Sequence, residues 1–130
     1  MKYYGIVIEE SLRSSAVLSG FDIVAHKRQG GWRFLLVALC EADLGHQIER
    51  LQQEMIPVAE DCWYNHFFAG ERLVVVYQDR VFHTTVNPAD GAEVIQYGLS
   101  HGIPREQLDF NPCSLTAAAA LFGIDSLSDI

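Results

Sequence analysis

The chain has 130 residues, 49% of them apolar and 20% charged, a length and balance suited to one globular domain around one core. Its 17 acidic residues outweigh 9 basic ones, and the resulting net charge of −8 disfavours nucleic-acid phosphates as a partner. The longest apolar run, Phe34 to Cys40, is too short to cross a bilayer, so no membrane partner is expected.

The first predicted element is a strand over residues 3–9, which alternate and are rich in aromatic and β-branched side chains. Residues 11–19 hold few strand formers and end at Gly20, giving a short helix or an irregular crossing. Residues 21–29 and 32–40 flank Gly30-Gly31, a pair that tolerates the positive φ of a hairpin turn. The second of these strands is apolar on both sides from Phe34 to Cys40. It belongs in mid-sheet with cover on both faces, one of which a second subunit could provide. Asp43 offers a helix cap, and Leu44, Ile48, Leu51 and Met55 follow on one stripe before Pro57 stops the helix. Strands are predicted over residues 62–68, 73–78 and 81–86, with turns at 69–71 and 79–80. A helix starting near Asn87-Pro88 should turn Ala92, Ile95 and Leu99 inward and end at Gly102 and Pro104. Ser114 is positioned to cap a last short helix closed by Gly123.

Strand, short crossing, strand, strand, helix, strand is the βαββαβ order of a ferredoxin-like sandwich. A β-hairpin and C-terminal helices extend it, which makes the expected class α+β with a mainly antiparallel sheet. Helices are expected on one face, leaving the other for aromatic or subunit contacts. The first crossing is short for a connection between parallel strands, so a plain antiparallel meander with two helices packed on it is the alternative. Residues 1–110 read as a single α+β domain and 111–130 as a C-terminal extension with a short helix.

Cys40, Cys62 and Cys113 are widely spaced, with no CxxC pair, and do not form a disulfide framework. The start has no signal-peptide pattern, and a cytoplasmic location is expected.

Cys62-Trp-Tyr-Asn-His-Phe67, Arg80-Val-Phe82 and the stretch from Tyr97-Gly98 through Gly102-Ile-Pro104 to Gln107-Leu-Asp-Phe110 resemble a family of small uncharacterised prokaryotic proteins. Its members combine a Trp-Tyr-x-x-Phe segment with a Tyr-Gly-x-x-x-Gly-Ile-Pro-x-x-Gln-x-Asp-Phe ending. The start, from Tyr3-Tyr4 to Leu12, is similar too. The resemblance covers most of residues 3–110 and implies no activity.

Cys62 and His66 share a strand face, and His83 lies on a nearby strand, so a zinc site is conceivable; no fourth ligand is evident, and no metal is expected. Glu9 and Glu10 close the first strand, one toward each face, and His66, His83, Asp79 and Asp109 could gather near one sheet end as an acid–base group. Trp63, Tyr64, Phe67 and Phe68, with Trp32 and Phe34, could be core or the wall of a pocket served by Asn65, His66 or Glu10. His26, Lys27, Arg28 and Arg33 around the Gly30-Gly31 turn read as a solvated hairpin tip. Nucleophile and phosphate-loop motifs are missing, and nothing calls for a cofactor. The expected function is a small non-catalytic module that binds itself, as a homo-oligomer, or a protein partner. The alternative is a small-molecule binder or enzyme with a site near Trp63, His66 and His83.

Overall fold

The computed structural model describes residues 1–127; the last three residues of the expected 111–130 extension lie outside the described residues. Six strands form one open sheet: β1 (Lys2–Ile8), β2 (Asp22–Gln29), β3 (Trp32–Cys40), β4 (Tyr64–Ala69), β5 (Arg72–Tyr77) and β6 (Arg80–Thr85). Their order is β2-β3-β1-β4-β5-β6, and every neighbouring pair is antiparallel. Three helices accompany them: α1 (Glu41–Glu54), α2 (Ala92–Ser100) and α3 (Leu115–Phe122). The fold is α+β.

The hairpin between β2 and β3 turns at Gly30 and Gly31, whose φ angles of 62° and 86° suit glycine alone among common residues. The chain passes from β3 straight into α1 at Glu41, two residues before the expected cap. Asp43 instead accepts a hydrogen bond from the Cys40 thiol at 2.9 Å. Leu44, Ile48 and Leu51 are buried as their stripe requires, and Met55 is buried just past the helix. The first crossing is two 3-10 turns, Glu9–Ser11 and Ser15–Gly20, rather than an α-helix.

The core has two halves, one on each side of the sheet. Val7, Val37, Phe67 and Val76 meet α1 and the crossing residues Val17, Leu18 and Phe21. Ile6, Leu36, Phe68 and Val75 meet Val94 of α2, Ile103, Leu108 and Phe110 of the following loop, and Ala118 of α3. The expectation of one open face is therefore corrected. The C-terminal third of the chain itself covers the second face, because the sheet there is as apolar as on the first and its burial is favourable. In α2 the inward side is Val94 and Gly98, with Ile95 and Leu99 half-buried; Ala92, expected inside, is exposed. Asn87 does cap, but a 3-10 turn (Pro88–Asp90) ahead of the helix. Ser114 caps α3 through the Ala117 amide, and Gly123 closes it at a φ of 69°. The Asn111-Pro112 bond is cis.

Candidate functional site

Alternation along β4 sends Tyr64, His66 and Phe68 toward the C-terminal cover and Asn65 and Phe67 toward the α1 side. Asn65 is fully buried there. Its side-chain oxygen accepts from the Ile8 amide at 2.7 Å, and its nitrogen donates to Ser11 Oγ at 3.1 Å. Ser11 Oγ donates in turn to the Ile8 carbonyl at 2.6 Å. The trio pins the end of β1 to β4 and is structural.

His66 is 3% exposed, and its Nε2 donates to the Pro112 carbonyl at 2.7 Å. Burial lowers its pKa to about 4, against smaller raising effects of that hydrogen bond and of Asp109. The ring is neutral near pH 7 and ties β4 to the covering loop. His83 is exposed and pairs with Val74, which belongs to the α1-side core, so it sits on the opposite face from His66. The two histidines do not converge.

Glu10 is also committed elsewhere. Its Oε1 accepts from the Arg33 amide at 2.8 Å, and its Oε2 lies 3.8 Å from Arg28. Glu9 holds the Arg33 guanidinium at 2.8 Å. Arg28 and Arg33 of the hairpin tip are thus matched by the 3-10 turn that follows β1. Cys62, His66 and His83 do not gather either, and no group of three metal-binding side chains is found among the described residues.

Trp63 and Asp109 do come together, on the lining of a cleft of about 470 Å³. The cleft lies between the tip of β2–β3, the entry to β4 and the loop after α2. Trp32, Phe34, Trp63 and Tyr64 form its aromatic walls. The two indoles meet edge to face, 5.0 Å between centroids at 62°, and Trp32 lies 6.2 Å from Phe34. Phe110, held at a φ of 54°, sets its ring edge-on to Tyr64 at 5.2 Å. The Tyr64 hydroxyl donates to the Gln107 carbonyl, which fastens the loop to β4. Burial and the Asp109 charge both push that hydroxyl's pKa up, so it stays a donor. The Trp63 indole nitrogen is buried without a hydrogen-bond partner among the described residues.

Asp61, Glu106 and Asp109, all exposed, stand on the lining with one histidine, His101; among the described residues no Lys or Arg joins them. The three ion pairs of the described residues involve none of these carboxylates. Burial, then Asp79 and Asp61, raise the Cys62 thiol to about 11, which keeps it protonated and unreactive.

Next to this cleft lies a smaller one of about 350 Å³, apolar through Ile6, Pro112, Ala117 and Leu121, which shares Gln29, Phe34 and Asn111 with the first. Sequence reasoning found the aromatic walls but not Asp61, Glu106 or Gln107. Glu106 and Gln107 reach the cleft because Gly102, at a φ of 88°, reverses the chain after α2, whereas Asp61 stands at the entry to β4 beside Trp63. Comparison with known proteins finds no matching family model, no matching curated protein and no matching solved structure.

Proposed function

We propose that this protein is a non-catalytic binding module whose site is the cleft walled by Trp32 and Trp63. The observation that carries this reading is a concave, aromatic-lined space with several polar groups at its edge, the usual make-up of a small-molecule site. Two further points support it. Two of the four segments that resemble the small prokaryotic family, 62–67 and 97–110, contribute residues to this cleft. The acid–base groups that an enzyme would need lie apart: His66 is buried and neutral, His83 is on the other face, and Glu10 is bound by Arg33 and Arg28.

A ligand-observed NMR screen of fragment mixtures, run on the native chain and on Trp32→Leu, tests the reading. Fragments that bind the native chain and lose binding in the variant are expected. Absence of any binder to the native chain refutes it.

We also read the first four strands as a ferredoxin-like sandwich. Their order β4-β1-β3-β2, all antiparallel, with both crossings packed on one face, supports it. The three free cysteines fit a reducing, cytoplasmic setting. No helix among the described residues is long and apolar enough to cross a membrane.

A second reading, self-association, is favoured by one specific observation. The edge strand β2 leaves Ile23 and Val24 exposed, at 45% and 39%. An unprotected edge with apolar side chains invites pairing with a second copy. Light scattering on the native chain and on Ile23→Lys tests this; a native chain monomeric at every concentration excludes it.

A further inference from the structure

We infer that the ligand of the Trp32–Trp63 cleft is an organic cation, a quaternary or substituted ammonium group; the inference rests on the binding role proposed above. Three independent features of the cleft converge on that class. The first is the arrangement of the walls. Two indoles crossed at 62° with centroids 5.0 Å apart, and Phe34 tilted 55° from Trp32, present rings in several planes around one space. A compact cation gains from each ring face it touches, because the face of a π-system is negative.

The second is that no cation among the described residues sits over these rings. The chain does place cations over rings elsewhere: Lys2 over Tyr4, and Arg80 over Phe82 and Tyr97. Among the described residues no such contact is made to Trp32, Phe34, Trp63 or Tyr64. Arg28 and Arg33, the nearest guanidinium groups in sequence, are drawn to Glu10 and Glu9.

The third is the sign of the field. Asp61, Glu106 and Asp109 stand on the lining without a counter-ion, and the charge of Asp109 is felt at both Tyr64 and His66. An anionic ligand would meet these carboxylates with only His101 to offset them. A neutral ligand would leave their attraction unused. A cation is drawn by carboxylates and rings together.

The test uses three probes of similar size and different charge: tetramethylammonium, tert-butanol and pivalate. Trp32 and Trp63 are the only tryptophans in the chain, so tryptophan emission reports on this cleft alone. Titrations at constant ionic strength should show saturable change with tetramethylammonium and affinities at least about tenfold weaker for the other two probes. Asp61→Asn with Glu106→Gln, both at exposed positions, should weaken tetramethylammonium at least about threefold. Trp32→Leu, read through the remaining Trp63, should abolish saturation. If tert-butanol or pivalate binds as well as tetramethylammonium, or the carboxamide variant binds it unchanged, the cationic class is overturned while the cleft remains a binding site. If none of the three probes changes the emission, both the class and the binding role fall.

Discussion

Acid should loosen this protein through one ring. His66 is held neutral in the fold, with its pKa lowered from 6.5 to about 4 by burial between β4 and the covering loop. In the unfolded chain the same ring takes a proton near pH 6.5. Between those two values the unfolded state binds the extra proton, so stability is full above pH 6.5 and falls as pH drops toward 4. The full difference is about 3 kcal/mol, of which about 2 kcal/mol should be lost between about pH 7.5 and pH 5. His66→Gln keeps a donor for the Pro112 carbonyl and removes the titration. Urea unfolding of both proteins across this range isolates the effect, because carboxylates common to both cancel in the difference. The native chain should lose about 2 kcal/mol more than the variant on going to about pH 5. Parallel stability curves would refute the assignment of His66 as a buried neutral link.

Other substitutions probe the frame that carries the cleft. Asn65→Leu strips partners from the Ile8 amide and Ser11 in a dry site and should cost about 2–4 kcal/mol in chemical denaturation, with Asn65→Ser costing less. Gly5→Ala places a Cβ 2.3 Å from the Phe67 ring in the packed core, and should lower thermal stability by about 1–3 kcal/mol. Gly45→Ala, on α1 with open space around it, should instead raise stability by about 0.5–1 kcal/mol in the same melting experiment.

Much of the frame is legible in local chemistry. Gly30-Gly31 marks the first hairpin, the four-three-four stripe marks α1, and Ser114 and Gly123 bracket α3. Each signal lies within a few residues of the feature it determines. The misplacement of His83 has a specific physical origin. A turn read at residues 69–71 would pair Phe68 with Arg72 and put His66 and His83 on one face. The chain turns at Gly70 and Glu71, pairing Ala69 with Arg72. Because side chains alternate with period two, that single residue of register moves His83 to the other face. The second layer was hidden for another reason. Residues 101–114 carry no period, and α3 is alanine-rich with only a weak apolar stripe, so their packing on the sheet is a long-range outcome. Half of the cleft comes from this stretch, which is why the walls could be seen in the sequence and Glu106 and Gln107 could not.

The account turns on where a small cation sits. Amide and indole chemical-shift mapping with tetramethylammonium gives that position directly. Saturable shifts should be confined to residues 29–34, 61–64 and 101–111, with both indole N–H signals among them. Shifts centred on Arg80, Phe82 and Tyr97, or no saturable shift at all, would contradict it.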